Sequence, residues 1–590
     1  MAITANLLET DTRAEVKTKL VALFDYYYGA GNYTLTTWKD ARLLLNDIRE
    51  STQIYDAEKA AGLIQDINIL NNLIDTPDLS LNFETDAYSF KGETAFDSIV
   101  THSRNSNATM VDSDGLLKWA PHNFAIYSED FNQSRWTKLS AVVQQDTTNP
   151  QGIPNSAWTI YAENLGSAGS CAVVSSNSPA AIGYITVSFY VKAIGTNFCA
   201  IRHRNTFAYF DLQNISTPTS GASIIDVGND WRLCSYRAFS NFDTNNFYIY
   251  AASSLSDTTI SLDGQAKIAI WGAHLYRSDL GGMVNNPDQP AGFETYVPTT
   301  NSARYLPRRG HHVWNGSEWA NEGLLHESEQ RTNLLTYSSE FDNAAWSKVF
   351  STIDSNSSDT LAPDGTNTAD KLQENPINGP HNIAQGVSNS ETVVFSASVY
   401  LKAAERTWAR ISLDFGTGGY KRFWVNLSDG SIGTTDGPTA TLVGGPTVEP
   451  VGNDWYRCSI SASSSGGSTR LLFVATALDD FSLNFLGTAG SGIYIWGAQL
   501  EAGSTPSSYI PTSGATATRA AETLQVANVS SNRAASFAMQ GKFNQQETVF
   551  YKLEQDANNF IEAAYPSGFL ALRNQNYLQD RSGNYLESRR

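Results

Sequence analysis

A mainly β chain is predicted here: tandem jelly-roll or β-sandwich modules preceded by a small N-terminal α-helical domain. Three observations carry that expectation. First, the chain repeats itself. Asn123, Tyr127, Ser128, Phe131, Trp136 and Lys138 return without a gap as Asn333, Tyr337, Ser338, Phe341, Trp346 and Lys348, 210 positions later. VSFYVKA at 187–193 returns as ASVYLKA at 397–403. Val227-Gly-Asn-Asp-Trp231 with Cys234 returns as Val451-Gly-Asn-Asp-Trp455 with Cys458. Ile270-Trp-Gly-Ala273 with Tyr296-Val-Pro298 returns as Ile495-Trp-Gly-Ala498 with Tyr509-Ile-Pro511. Second, strand patterns dominate from residue 123 onward, clearest at Tyr184–Lys192 and Thr392–Lys402, and turn chemistry separates them. Third, the first 75 residues alone show helical periodicity.

Composition agrees. At 590 residues the chain exceeds what one core supports. It is 41% hydrophobic but only 17% charged, a balance that suits sheets whose outer faces carry uncharged polar groups. A net charge of −19 opposes binding to polyanionic nucleic acid, which draws on Lys and Arg, and disfavours anionic membrane surfaces. It also favours solubility. No N-terminal leader pattern and no apolar run of spanning length is present, so neither a cleaved export signal nor membrane insertion is expected.

The elements follow in order. Thr12 and Glu15 form a capping box, then Val16, Leu20, Leu23, Phe24 and Tyr27 share one helical face before Gly29. A second helix is expected through Trp38, Ala41, Leu45 and Ile48. A third is expected through Ala60, Leu63, Ile64, Ile67, Leu70 and Ile74, closed by Pro77. Such a bundle is either a self-contained core or an oligomerisation and docking base. The expected organisation is a helical domain at 1–77, an extended connector at 78–122, module 1 at 123–303, a linker at 304–332, module 2 at 333–522 and a β-rich tip at 523–590. Glu547–Lys552 is the clearest strand of that tip.

Four cysteines, Cys171, Cys199, Cys234 and Cys458, are too few for a disulfide scaffold. Cys234 and Cys458 hold equivalent repeat positions and read as small buried apolar groups. Whether Cys171 and Cys199 pair is left open.

Several of these stretches resemble a known family. GLLHESEQRTNLLTYSSEFDNAAW (323–346), VYLKA, VGNDWYRC, IYIWGAQLEAG and SYIPTSGATATRAAE (508–522) resemble the repeat of bacteriophage fibre and spike proteins, some being tail fibres and others head spikes or head fibres. The modules are also similar to carbohydrate-binding modules of the β-sandwich kind. The resemblance, which spans about 105–522, implies a virion component on the exterior of the particle, made in the host cytoplasm and homotrimeric. Its partners would be phage tail or capsid proteins and host-surface glycan, with no nucleic acid and no cofactor. By position, the N-terminal helices look like the virion-anchoring end, with Leu20, Phe24, Tyr27, Leu63 and Ile67 as the anchoring residues.

Trp136/Trp346, Trp231/Trp455 and Trp271/Trp496 recur in both copies, so they are expected to pack each module's core between two layers of strands rather than to stack on sugar. Aromatics where the copies differ are better ligand candidates. Tyr420, Lys421, Arg422 and Trp424 follow a Gly-rich turn, and Arg202, Arg204 and Tyr209 cluster in the other module, with Phe207 and Phe210 beside them. Cations next to rings suit glycan hydroxyls or acidic sugars. The basic spot at Arg308, Arg309, His311 and His312 is expected to be a solvated or interchain-packed linker rather than a metal site. Asp112-Ser-Asp-Gly115 opens like a calcium loop, but Asn123 stands where the bidentate Glu belongs, so a turn is expected.

No nucleophile elbow, phosphate loop, zinc signature or Cys/His pair is present, and no coil repeat of a β-helix depolymerase appears. The expected function is therefore non-catalytic: a phage tail fibre or spike anchored by its helices and binding host glycan. The alternatives are a head fibre or capsid decoration with spacer modules and, less favoured, a polysaccharide-degrading enzyme.

Overall fold

The computed structural model describes residues 13–28, 41, 44–45, 79–162, 168–175, 183–240, 246–479, 481–482, 484–526, 549–556, 559–564 and 570–573. The described residues up to Asn82, with Ala87–Ile99, form one compact unit; Phe83–Asp86 and those from Val100 onward form the other. In the first unit, the helix Arg13–Tyr28 buries Val16, Leu20, Leu23 and Phe24, the stripe its periodicity predicted. Ala41 and Leu45 are also fully buried. Most of the second expected helix and all of the third, including Leu63 and Ile67, lie outside the described residues, as does the side chain of Tyr27.

The second unit holds two β-sandwiches. The strands of the first are β1 (Trp136–Leu139), β2 (Ala141–Thr147), β3 (Ala157–Ala162), β4 (Ala168–Ser175), β5 (Gly183–Ala193), β6 (Phe198–His203), β7 (Thr206–Asp211), β8 (Ala222–Gly228), β9 (Trp231–Ser240), β10 (Phe247–Ala252) and β11 (Lys267–Arg277). One sheet runs β7-β6-β10-β4-β1 and the facing sheet β8-β9-β5-β11-β3-β2, all antiparallel. A hairpin follows, β12 (Arg308–Trp314) and β13 (Trp319–Leu325).

The second sandwich is built from β14 (Ser347–Val349), β15 (Ser351–Asp354), β16 (Asp370–Glu374), β17 (Asn382–Ser388), β18 (Phe395–Ala403), β19 (Trp408–Asp414), β20 (Tyr420–Asn426), β21 (Ser431–Asp436), β22 (Thr447–Pro450), β23 (Trp455–Ser463), β24 (Thr469–Ala477) and β25 (Gly492–Ala502). Its sheets run β21-β20-β19-β24-β17-β14 and β22-β23-β18-β25-β16-β15. For the strands named, this is the order of the first sandwich, with β21 added at one edge; short edge strands, Thr259–Ser261 in the first copy and Thr441–Leu442 in the second, are not shared. The sequence repeat is thus a repeat of topology.

Alternation builds each core. Val173, Ile201, Phe210 and Ile249 from one sheet meet Val187, Phe189, Ile268 and Ile270 from the other. Ile383, Ile411, Phe423 and Val474 meet Val399, Ile460 and Ile495 in the second copy. Both copies carry the same bulge, where one residue of β5 or β18 opposes two of β11 or β25. Gly272 (φ +65°) and Gly497 (φ +59°) sit in it. The extra residue reverses the facing, so Ile270 and Ala273 both point inward. The hairpin turns Asn229-Asp230 and Asn453-Asp454 have positive φ at both residues, the type I′ geometry that Asn and Asp tolerate.

Two expectations are corrected. Of the three repeated pairs, Trp136 and Trp346 alone lie between the sandwich layers. Trp231 and Trp271 occupy the outer face of the second sheet under Phe293 and Tyr296. Trp455 and Trp496 do the same among Leu117, Trp119, Leu280 and Tyr509. They are buried because segments outside the two sandwich sheets roof the sheet, a layer that strand periodicity does not reveal.

The basic spot is no solvated linker. Arg308 is fully buried, with Nη2 2.7 Å from Glu327 and 2.8 Å from Glu522. Arg104 also pairs with Glu522, and Arg519 Nε lies 3.0 Å from Glu327. Three guanidinium groups from separate stretches converge on two carboxylates, which satisfies charges that could not be buried singly.

Cys171 and Cys199 both stand opposite Ala251, on either side of it. Two inter-strand spacings, about 10 Å, separate them, which is beyond disulfide reach. All four thiols are free and buried.

At the C-terminal end, Val549–Asp556, Asn559–Ala564 and Leu570–Arg573 form a three-stranded antiparallel sheet.

Candidate functional site

Comparing the two copies separates what the scaffold needs from what it displays. The retained residues point inward or into caps: Ser128 Oγ and Tyr296 OH lie 2.7 Å apart, as do Ser338 Oγ and Tyr509 OH. Trp136 Nε1 donates to the Tyr127 carbonyl at 3.0 Å and Trp346 Nε1 to that of Tyr337 at 2.9 Å. The outer face of the sheet led by β7 or β20 is one place where the copies differ.

In the first sandwich, cross-strand register sets Tyr209, Ala200, Tyr250, Ala172 and Leu139 in one row. The next row is Phe207, Arg202, Tyr248, Val174 and Thr137. Small alanines flank Tyr250, so the first row is corrugated. The rings stack along their own strands: Phe207 and Tyr209 at 5.7 Å and 16°, Tyr248 and Tyr250 at 5.8 Å and 13°. Arg202 lies between two of them, its Cζ 5.5 Å from the Phe207 centroid and 4.9 Å from that of Tyr248. Arg204, at φ +56° in the β6–β7 turn, holds Arg202 through its carbonyl, which accepts from Nε at 2.5 Å. Burial, with Asp257 and Tyr250 nearby, pushes the Tyr209 hydroxyl above its ordinary range. Tyr250 is buried, whereas Phe207, Tyr209, Tyr248 and Arg202 keep partial exposure.

The corresponding row of the second sandwich reads Trp424, Arg410, Ala475, Asn382 and Val349. Tyr420, Arg422 and Trp424 share this face, and Arg422 Cζ lies 5.0 Å from each of the two rings. Asp436 of β21 takes up Arg422, with Nη2 to Oδ2 at 3.0 Å. Burial, and then the neighbouring Arg422, lower the Arg410 guanidinium to about 10. Trp424 itself is fully buried, and Phe481, 59% exposed, stacks on it at 5.3 Å and 18°.

Of the sequence candidates, Arg202 and Tyr209 therefore meet on one face, with Arg204 supporting from the turn. Tyr420, Arg422 and Trp424 meet on the other. Lys421 points the opposite way along the strand and donates to the Gly437 carbonyl; Phe210, beside Tyr209, is core. Sequence reasoning missed Tyr248, Tyr250, Arg410, Asp436 and Phe481. The alternation in FYIYAA (247–252) marks Tyr248 and Tyr250 as sharing a face, but the pairing that sets them beside Arg202 is not local.

A polar cavity of about 390 Å³ lies among Asp86, Asp112, Lys118, Arg309, His312 and Asn321. Its charges are internally paired: Lys118 with Asp112 at 2.6 Å, and Arg309 with Asp288 at 2.5 Å and Asp86 at 3.0 Å. Asp112 Oδ1 accepts from the Asp114 and Leu116 N–H groups, so Asp112–Gly115 is a turn. Among the described residues, no group of three metal-ligating side chains converges.

The chain matches no protein-family model and no curated protein. Among solved structures, it is similar to the tandem CBM22-1-CBM22-2 domain of Paenibacillus barcinonensis Xyn10C, at 10% identity and a TM-score of 0.23, over 68% of this chain and 100% of that one. A second is the enzymatically active domain of bacteriophage CBA120 tailspike protein 4, at 14% identity and a TM-score of 0.18, over 26% of this chain and 21% of that one. A third comprises the CBM22-1-GH10 modules of Clostridium thermocellum Xyn10B complexed with xylohexaose, at 13% identity and a TM-score of 0.18, over 29% of each chain. Likeness at these values carries no functional argument.

Proposed function

We propose that this protein is a structural appendage of a phage virion, a tail fibre or spike, that binds host-surface glycan through the outer faces of its sandwiches without cleaving it. One observation carries the glycan reading: on a duplicated scaffold, the outer sheet faces exchange aromatic and guanidinium groups, Ala200 for Arg410, Arg202 for Ser412 and Phe207 for Arg422. Rings offer flat apolar surface to the C–H faces of sugars, and guanidinium groups offer donors to their oxygens. No chemistry is assigned to these faces, since Asp436 is engaged by Arg422.

The phage reading rests on the motif resemblance at 323–346, 397–403, 451–458, 492–503 and 508–522. It places the chain on the exterior of the particle, homotrimeric, joined through its N-terminal helices to tail or capsid proteins. Leu20 and Phe24 are fully buried in the single chain, so they would support anchoring by holding their helix in place rather than by contact. Weak sites repeated on a trimer gain avidity without any new contact.

A second reading, a head fibre or capsid decoration with spacer modules, is favoured by the covering of Trp424 by Phe481. Binding of the full chain to an array of bacterial surface glycans distinguishes the two: specific signal is expected, and a uniformly blank array would leave only the spacer. For anchoring, a chain lacking residues 1–75 is expected to be absent from particles; its normal incorporation would refute that role.

A further inference from the structure

Resting on the glycan reading above, we infer that the first sandwich selects an anionic saccharide, one bearing a carboxylate or phosphate, through Arg202. Among the described residues, no carboxylate lies within ion-pair distance of this guanidinium. Its two polar partners are the Arg204 carbonyl at Nε and the Asn205 Oδ1 at 3.4 Å from Nη2. The contrast with the second copy is sharp. There Arg422 is clamped by Asp436 through both Nε and Nη2, a fork already filled from within.

The geometry around Arg202 is that of a presented donor. Phe207 and Tyr248 hold the guanidinium from two sides, which removes much of the rotamer freedom an Arg otherwise loses on binding. The Arg204 carbonyl occupies Nε and Asn205 Oδ1 takes one Nη2 hydrogen, so Nη1 and the second Nη2 hydrogen are what remain for a ligand. An acidic group lying there receives charge-assisted donors while the neighbouring sugar faces rest on Phe207 and Tyr248. Strands are about 4.8 Å apart, so Phe207 and Tyr248, two strands apart, are spaced for the first and third units of a saccharide chain crossing the strands. The acidic unit would sit between them, over Arg202. The second face, its guanidinium neutralised and its indole covered, lacks this preference.

The test is an array of uronate-, sialate- and phosphate-bearing oligosaccharides beside their neutral counterparts, probed with the full chain and with Arg202→Gln, Arg202→Lys and Lys192→Gln. Lys192 pairs with Asp230 on the other sheet and controls for the loss of one charge. Acidic glycans are expected to bind, and Arg202→Gln to weaken them by tenfold or more, about what one charge-assisted contact contributes. Arg202→Lys is expected to recover only part of that, because it keeps the charge but not the planar fork. Whether uronate and sialate or phosphate glycans respond identifies the acidic group. Binding confined to neutral glycans, or acidic binding that Arg202→Gln leaves unchanged while the variant melts like the parent, overturns the inference yet leaves the glycan reading standing. A blank array sinks both.

Discussion

Asn123 and Asn333 make the same four hydrogen bonds 210 residues apart. Nδ2 of Asn123 donates to the carbonyls of Ala273 and Val297 at 3.0 and 2.8 Å, and Oδ1 accepts from the N–H groups of Ala125 and Leu275 at 2.9 and 3.0 Å. Asn333 does this with Ala498 and Ile510, and with Leu335 and Leu500, at 2.9 to 3.2 Å. Each amide staples the entry of its module to the exit of the bulged strand. Asn333→Ala leaves four buried backbone groups without partners, each worth about 1–3 kcal/mol. A loss of more than about 3 kcal/mol in urea denaturation is expected; a loss below about 1 kcal/mol would contradict this role.

The buried cluster of Arg104, Arg308, Glu522, Glu327 and Arg519 ties the 100–104 stretch and the β12–β13 hairpin to residues 519–522. Glu522→Gln removes the charge that offsets two buried guanidinium groups, so a cost of about 3–5 kcal/mol is expected. A melt within a degree of the parent would mean the cluster is neutral to stability.

The same cluster makes stability depend on acid. Burial alone would raise the Glu327 carboxyl, but Arg308 and Arg519 more than offset it and hold it at about 2, below the usual 4.5. Glu522 is likewise held well below its usual range, against burial, by Arg308, His102 and Arg104. A depressed carboxylate contributes its full stability above the unfolded value near 4.5 and loses it as pH falls toward the folded value. Thermal midpoints are expected to drop between about pH 4.5 and 2, and Glu522→Gln to flatten part of that slope. An unchanged slope would exclude Glu522 as its source.

Gly497 tests the bulge. Its φ is +59°, and a Cβ there would come within 2.8 Å of Tyr400 Cδ2. Gly490 has φ +81° but open space around it. Gly490→Ala is expected to cost only the left-handed backbone term of about 1–2 kcal/mol. Gly497→Ala should cost distinctly more, by parallel denaturation. Equal losses would show that the tight approach to Tyr400 relaxes freely.

All four cysteines are buried. Burial pushes the Cys171 thiol up to about 12, and Cys234 and Cys458 are also raised by burial. An aromatic disulfide reagent at pH 8 is expected to leave the native protein untouched and to titrate four thiols after unfolding. Fast labelling of any native thiol would contradict that burial.

What the sequence by itself determined was everything written in a local period or in the internal repeat. Val173, Ile201, Phe189 and Ile270 alternate, so their strands and inward faces were readable from spacing. The matched Asn123/Asn333 and Trp136/Trp346 announced one topology used twice. The candidate faces were half legible, because Arg202 and Tyr209, like Tyr420, Arg422 and Trp424, share parity within a hairpin. Only the tertiary structure decided the rest, because it depends on which distant strands are neighbours. Tyr248 stands beside Arg202 through the β6–β10 pairing, Trp271 is roofed by Phe293 and Tyr296 from beyond its own strand, and Arg308 finds Glu522 from 214 residues away. Charge neutralisation and the covering of an outer face are non-local properties, with no period along the chain to reveal them.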